Sequence, residues 1–246
     1  MTAVAPTPLT VALPAHRLSI VVPMYREQDN VRPFVARVMA CLQDYPHPWE
    51  LLLVNDGSSD GTRQAIEQAR SEVGPHIRLI ELARNYKQTA AMQAGIDHAR
   101  GDVIATLDGD LQNDPIDIPR MVGRLLHEDL DLVAGWRRNR QDALVMRKLP
   151  SRLANALIAR MTGLDIKDNG CSLKVFRTST LRRIRLYGEM HRFVPIYASW
   201  SGARLAEIPV AHHARTHGRS NYGLSRIFKV LLDLMVVEFL ARFAAK

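Results

Sequence analysis

The stretch Val103-Ile-Ala-Thr-Leu-Asp-Gly-Asp-Leu-Gln-Asn-Asp-Pro115 combines a strand pattern with an acidic motif. Its first five residues form an apolar run that is typical of a buried strand. Asp108 and Asp110 follow directly, separated by one glycine. Two carboxylates at a strand end supply the oxygen donors that a hard cation prefers beside substrate phosphates. The alternative is an acidic turn that caps the next helix.

Predicted strands and helices alternate along the chain on both sides of this stretch. Apolar, β-rich segments predict strands at 18–22, 49–54, 77–81, 103–107 and 132–136. Helical patterns lie between them at 27–44, 61–73, 88–99 and 117–127. This α/β rhythm predicts a Rossmann-like, mostly parallel sheet flanked by helices, with ligands beyond the carboxyl ends of the strands. Further on, a loop that enters a strand is expected at 168–176, and another strand at 205–210.

The composition predicts one catalytic domain with short extensions. The chain has 246 residues, of which 47% are hydrophobic. We expect a disordered tail at 1–17, the catalytic domain at 18–222 and an amphipathic C-terminal helix at 223–246. That helix is expected either to lie on a membrane surface or to pack on the catalytic domain or on a second copy in a homo-oligomer.

The net charge of +8 favours an anionic partner: a phosphorylated substrate, an acidic membrane surface or nucleic acid. Nucleic acid is not expected, because the basic residues form no aromatic-interleaved stripe and no recognised binding motif. Two cysteines make no disulfide framework, and the sequence shows no signal peptide and no clean spanning segment. These features predict a cytoplasmic protein that associates peripherally with the membrane.

Polar motifs also follow the first two predicted strands. Pro23, Tyr25 and Glu27 end the first, and Glu27 is placed to contact a nucleoside; the alternative is an acid favoured at a helix N-terminus. The turn at 55–62 ends the second, and its Asp56 is placed to accept hydrogen bonds from a nucleobase or ribose. For residues 58–62 a plain turn with a helix cap is favoured.

Together, the three motifs resemble those of glycosyltransferase family 2, the inverting enzymes with a GT-A fold. That family has Pro-x-Tyr-x-Glu after strand one, Asp-Gly-Ser-x-Asp after strand two and Asp-x-Asp after strand four. The finer resemblance is to the branch that glycosylates polyprenyl phosphates such as dolichol or undecaprenyl phosphate. Its Asp-x-Asp-Leu-Gln-x-x-Pro motif is similar to residues 108–115.

The resemblance implies a role for each matching residue. Asp108, Asp110 and Gln112 are expected to hold Mg²⁺ or Mn²⁺. Donor binding is expected from the matched motif residues: Pro23, Tyr25, Glu27, Asp56, Asp108, Arg215 and Ser220. Within residues 215–222, Asn221 stands where the family usually has a lysine. The contact that this lysine makes in the family is therefore not expected here.

The acceptor phosphate is expected to bind Arg137, Arg147 and Ser151. Forked guanidinium groups suit phosphate oxygens. Asp110, Arg137 and Asp168 are the catalytic candidates, with Asp168 either a base or orienting group, or a turn-forming aspartate. The predicted reaction moves a hexose from a UDP- or GDP-sugar to a polyprenyl phosphate. The alternatives are a glycan hydroxyl acceptor, a basic nucleic-acid-binding module or a non-catalytic nucleotide-sugar-binding subunit.

Overall fold

The computed structural model describes residues 12–138, 166–186, 188 and 190–214. Seven strands lie in these ranges: β1 (Leu18–Met24), β2 (Trp49–Asn55), β3 (Ile77–Glu81), β4 (Val103–Thr106), β5 (Leu132–Trp136), β6 (Lys174–Arg177) and β7 (Leu205–Pro209). The α-helices are α1 (Gln28–Cys41), α2 (Thr62–Val73), α3 (Gln88–His98), α4 (Ile118–His127), α5 (Thr178–Leu181) and α6 (Val194–Trp200). Short 3₁₀ helices cover Pro115–Asp117 and Met190–Arg192.

These strands form one sheet in the order β3-β2-β1-β4-β6-β5-β7. Strands β3, β2, β1 and β4 are parallel neighbours, and β5 is parallel to β7. Strand β6 runs antiparallel to both β4 and β5. The predicted mostly parallel α/β sheet is therefore confirmed, with one reversed strand inserted at its centre.

Each face of the sheet has its own buried cluster, because successive side chains of a strand point to opposite faces. Ile20 and Leu53 pack with helices α1, α2 and α4 on one face. Val21 and Leu52 pack with α3 and α6 on the other. A sheet covered on both faces explains why its inner strands β2 and β4 are nearly continuous apolar runs rather than alternating ones.

Strand β1 continues past Pro23, where the sequence pattern predicted its end. The Met24 carbonyl accepts a hydrogen bond from the Asp56 N–H on the β2 side, and Pro23 therefore faces β4. Pairing with β4 stops at Val21 and Thr106. Since a missing N–H is harmless where pairing has ended, proline is tolerated there.

The short helices α5 and α6 were not predicted, because neither spans enough turns to show a clear helical period. Residues 12–17 fall in the predicted tail, yet Leu13 and His16 are buried and His16 contacts Tyr45. Residues before Leu18 therefore pack on the catalytic domain. Residues 1–11 and the predicted C-terminal helix at 223–246 lie outside the described residues. No helix in the described ranges has both the length and the apolar character that crossing a membrane requires.

Candidate active site

The acidic loop lies directly after β4, as predicted, and packs over the end of β1. A Cβ on Gly109 would lie 2.3 Å from the Met24 Sδ, and a larger residue between the two aspartates would therefore displace the buried Met24 side chain. Asp110 is buried, and its Oδ1 accepts a hydrogen bond of 3.1 Å from the Gln112 N–H. Leu111 has a φ of 60°, in the left-handed region. The backbone thus turns tightly around the Asp110 carboxylate.

Asp108 is held by groups from two other segments. The Gln88 Nε2, at the start of α3, donates to its Oδ1 at 2.6 Å. The Asp108 N–H donates to the Ser172 Oγ at 3.2 Å. Burial raises the pKa of Asp108 and the Asp110 charge raises it further, against the opposing effects of Ser172, Arg137 and Lys174. Two carboxylates that repel each other in a buried loop are a site that a cation would stabilise.

The donor set fits a hard divalent cation. In the described part of the chain, no group of three or more His, Cys, Asp and Glu side chains is placed to hold a metal ion. Magnesium commonly needs only one or two protein carboxylates, because waters and substrate phosphates complete its shell. Asp108 and Asp110 supply such a pair. The loop is therefore suited to a cation that arrives with a diphosphate.

The Asp56 turn lies beside the acidic loop, since both contact Met24. Asp56 is buried, and its Oδ1 accepts from the Tyr86 N–H at 2.7 Å while its Oδ2 accepts from the Asn85 Nδ2 at 2.9 Å. Gly57 has a φ of 60°, and a Cβ there would lie 2.3 Å from the Arg84 carbonyl carbon. The turn and the 84–86 segment thus form one packed unit that fixes the carboxylate.

Two exposed tyrosines flank this unit. Tyr25, after β1, is 40% exposed, and Tyr86 is 46% exposed. Arg26 lies over the Tyr25 ring and Arg84 over the Tyr86 ring, at 5.3 Å and 4.8 Å from the ring centroids. Exposed aromatic faces next to a fixed carboxylate suit a planar, hydrogen-bonding ligand such as a nucleobase.

Glu27 occupies the position just before α1, which favours the helix-terminus interpretation of this acid. Its backbone N–H donates to the Thr62 Oγ1 at 2.9 Å, and its carboxylate accepts from the Asn30 side chain. Asp60 likewise accepts from the Thr62 N–H at 3.1 Å, and the turn therefore supports the start of α2. These contacts fix the rim of the site whether or not Glu27 also meets a nucleoside.

Arg137 and Asp168 form a close ion pair. The Arg137 Nε lies 2.7 Å from Asp168 Oδ2, and Nη2 lies 2.8 Å from Oδ1. Both side chains are only 11% exposed. Burial alone would lower the pKa of Arg137, but the hydrogen bonds and charge of Asp168 outweigh it and raise the pKa. Asp168 therefore has both oxygens occupied by a permanent cation.

Sequence reasoning missed Lys174, a fully buried lysine on β6. Its Nζ donates to the Cys171 and Asn169 carbonyls, and burial lowers its pKa. A single lysine inside an apolar run is no signal by itself, because the burial comes from β4 and β5 on either side. The sequence also missed Gln88 and Ser172, whose contacts with Asp108 arise only in the fold.

A second missed cluster ties the acidic loop to the end of β7. Asp114 accepts from the Arg37 Nε and Nη2 at 3.0 and 2.8 Å, and lies 3.0 Å from the His213 Nε2. The His213 N–H donates to the Gln112 carbonyl at 2.8 Å. Residues 211–214 are thus fastened to the acidic loop immediately before position 215.

The structure brings together the described site residues at one edge of the sheet, at or just beyond the carboxyl ends of β1, β2 and β4. They are Pro23, Tyr25, Glu27, Asp56, Asp108, Asp110 and Gln112. Arg137 and Asp168 lie on the other side of the acidic loop, joined to it by the segment that contains Ser172. Arg147, Ser151, Arg215 and Ser220 lie outside the described residues.

Comparison with known proteins finds one matching family and several similar relatives. The model of the family described as "Glycosyl transferase family 2" matches residues 19–185. Dodecaprenyl-phosphate galacturonate synthase of Rhizobium johnstonii is 52% identical over 231 residues, which cover 93% of this chain and 68% of the relative. Undecaprenyl-phosphate 4-deoxy-4-formamido-L-arabinose transferase of Salmonella paratyphi A is 40% identical over 224 residues, covering 91% and 68%.

Solved structures share the fold at low sequence identity. Glucosyl-3-phosphoglycerate synthase of Mycobacterium tuberculosis, in complex with Mn²⁺, UDP and glucosyl-3-phosphoglycerate, has a TM-score of 0.71 at 17% identity, covering 92% of this chain and 80% of that one. A mannosyltransferase of Pyrobaculum calidifontis, in complex with GDP-mannose and Mn²⁺, has a TM-score of 0.66 at 19% identity, covering 97% and 68%. The expected GT-A-like architecture is confirmed. By its family match and the identity of its relatives, the chain belongs to glycosyl transferase family 2 and is a glycosyltransferase.

Proposed function

We propose that this chain transfers a hexose from a nucleotide-sugar to the phosphate of a polyprenyl phosphate, with inversion at the anomeric carbon. The observation that carries the proposal is the Asp108–Asp110 loop, fixed at the end of β4 beside the buried Asp56. Both curated relatives described above are named as enzymes of polyprenyl phosphates, which supports the acceptor class. The identity of the hexose and of the base, uracil or guanine, is left to experiment.

The donor half of the site lies over β1, β2 and β4. Asp56, Tyr25, Glu27 and Pro23 surround the nucleoside. Asp108 and Asp110, with Gln112, would hold Mg²⁺ or Mn²⁺, and Arg215 and Ser220 would bind the diphosphate. When bound, the cation supplies Lewis-acid stabilisation of the departing diphosphate.

The acceptor half lies towards Arg137, Arg147 and Ser151. A phosphate monoester has a second pKa of about 6, so the acceptor is already ionised at neutral pH. One of its oxygens attacks the anomeric carbon, the bond from that carbon to the diphosphate breaks, and the nucleoside diphosphate leaves with the electron pair. No strong base is needed. Asp168, with both oxygens held by Arg137, acts as an orienting group.

We propose that the enzyme works at the cytoplasmic face of the membrane, in peripheral contact through residues 223–246, for which the sequence predicts an amphipathic helix. A polyprenyl chain stays in the bilayer, and an enzyme that reads its phosphate must therefore approach the interface. The net charge of +8 favours binding to an anionic membrane surface. Self-association through the same helix is the competing arrangement, and flotation with anionic liposomes separates the two.

A transfer assay tests the function. The full chain is incubated with Mn²⁺, a short polyprenyl phosphate and a panel of UDP- and GDP-sugars, and lipid-linked sugar is measured by mass spectrometry. The control acceptor is the same polyprenol without its phosphate. We expect product only with the phosphorylated lipid. Transfer to glycan hydroxyls with none to polyprenyl phosphate would overturn the proposal.

A further inference from the structure

Four acidic residues around the site fall into two groups according to their partners. Asp114 and Asp168 are each bound by an arginine through two hydrogen bonds. Asp108 and Asp56, in contrast, accept hydrogen bonds only from uncharged groups among the residues that the structure describes. An arginine neutralises a carboxylate, whereas an amide or hydroxyl orients it and leaves its negative charge for a ligand.

Asp108 receives this uncharged support from two sides. The Gln88 amide donates to Oδ1 at 2.6 Å. The Ser172 Oγ accepts from the Asp108 N–H at 3.2 Å and from the Asn113 Nδ2 at 2.8 Å. The Ser172 hydroxyl therefore fixes the Asp108 backbone and the Asn113 side chain at one point.

Both supporting side chains are themselves anchored. Gln88 begins α3, and the next residue, Thr89, has its Oγ1 2.6 Å from the His191 Nδ1 in a buried contact. The Ser172 carbonyl accepts from the Thr106 Oγ1 at 3.1 Å on β4. Gln88 and Ser172 therefore contact Asp108 from fixed backbone, Gln88 at its carboxylate and Ser172 at its N–H, and loss of either contact would free Asp108 to move.

We propose that Gln88 and Ser172 are positioning residues that hold Asp108 in the orientation in which it binds the divalent cation. This inference rests on the proposed function and adds two residues outside the matched family motifs. Groups that orient a metal-binding carboxylate contribute about 10–100-fold to metal affinity. The same residues also join the acidic loop to α3 and to the loop before β6. Cation affinity therefore depends on the acidic loop, on α3 and on the loop before β6 together.

Mn²⁺ affinity of the full chain tests the proposal, measured by electron paramagnetic resonance with saturating UDP or GDP, whichever binds the wild type. The variants are Gln88→Ala and Ser172→Ala. Gln93→Ala is the matched control on α3, because Gln93 donates an amide hydrogen bond to Asp97 away from the site. Ser199→Ala is the second control, since the Ser199 hydroxyl donates to the Ile196 carbonyl of its own helix. Ser172→Thr keeps the hydroxyl and serves as the rescue variant.

We expect Gln88→Ala and Ser172→Ala to weaken Mn²⁺ binding by about 10-fold or more, with wild-type affinity in both controls and in Ser172→Thr. Thermal unfolding without metal checks the fold of every variant. Wild-type Mn²⁺ affinity in both alanine variants would overturn the inference and leave the proposed function standing. A wild-type chain that binds no Mn²⁺ with either nucleotide would overturn both.

Discussion

The Arg137 guanidinium lies side-on to the Asp168 carboxylate, with Nε 2.7 Å from Oδ2 and Nη2 2.8 Å from Oδ1. The Arg137 N–H also donates to Oδ2 at 3.2 Å, so that backbone and side chain bind the same carboxylate. The pair fastens the end of β5 to the loop before β6. A carboxylate held in this way is better suited to fixing a loop than to accepting a proton.

Asp168→Ala should therefore lower the free energy of unfolding, with little change in the pH dependence of catalysis. It would leave the Arg137 charge buried without its partner, a loss that typically costs about 3–5 kcal/mol. Urea unfolding of wild type and variant measures this cost. Asp129→Ala is the control, since Asp129 is an exposed partner of Arg177 and Arg204. A wild-type unfolding free energy in Asp168→Ala, with loss of an acid limb in the pH–rate profile, would instead make Asp168 a base.

Asp110→Asn should nearly abolish sugar transfer while the protein stays folded. The amide keeps the shape of the buried side chain but removes the charge that a divalent cation requires. Initial rates at saturating Mn²⁺ and thermal unfolding are the two measurements. Asp129→Asn, at the far end of the sheet, should keep the wild-type rate. Substantial residual turnover in Asp110→Asn would remove this residue from the metal site.

The strands and the site edge could be predicted because they depend on local pattern. The apolar runs at β2 and β4 are followed directly by Asp56 and Asp108, and parallel strand ends meet at one edge of a sheet. The direction of β6 could not be predicted. Its residues, Lys174–Arg177, carry no signal that distinguishes parallel from antiparallel pairing with β4.

The supporting residues were missed for a different reason. Gln88 and Ser172 are 20 and 64 positions from Asp108 along the chain, and meet it only through the packing of α3 and β6. Arg37 and Asp114 are separated by 77 positions in the same way. A single sequence shows which residues carry useful chemistry, but the partners that set the charge of a carboxylate come from tertiary structure.

From the Arg37–Asp114 ion pair we expect the stability difference between wild type and an Arg37 variant to depend on pH. Burial alone would raise the pKa of Asp114, but hydrogen bonds from Arg37, the Ile116 N–H and His213 outweigh it and hold it below 3.8. A lowered folded-state pKa stabilises the protein above the unfolded value, and this contribution disappears as pH falls through the folded value.

The stability advantage of wild type over Arg37→Met should therefore be full near pH 6 and shrink as the pH falls below 3.8. Urea unfolding at a series of pH values measures it. The same comparison in an Asp114→Asn background should show no such pH dependence, because no carboxylate is left to titrate. An advantage that is constant with pH in both backgrounds would mean that Arg37 stabilises α1 by packing alone.

Alanine substitution of Gly57, at the nucleoside side of the site, should have two effects. It should strain the backbone, and the new Cβ should clash with a neighbouring segment. Gly57 and Gly202 both have positive φ, 60° and 78°. A Cβ at Gly57 would lie 2.3 Å from the Arg84 carbonyl carbon, whereas at Gly202 it would meet nothing within 4 Å. Both alanine variants therefore carry strain of about 1–3 kcal/mol, and only Gly57→Ala must also displace a neighbouring backbone.

That displacement would move the 84–86 segment, whose Tyr86 N–H and Asn85 amide fix Asp56. Gly57→Ala should therefore weaken nucleoside diphosphate binding by about 10-fold or more, the loss of roughly one such hydrogen bond to a charged group. Gly202→Ala should lose stability but bind nucleotide as wild type does. Isothermal titration with UDP and GDP measures the affinities, and urea unfolding measures the stabilities. Equal nucleotide affinity in the two variants would mean that the Asp56 turn does not meet the nucleoside, because only one of the two substitutions reaches it.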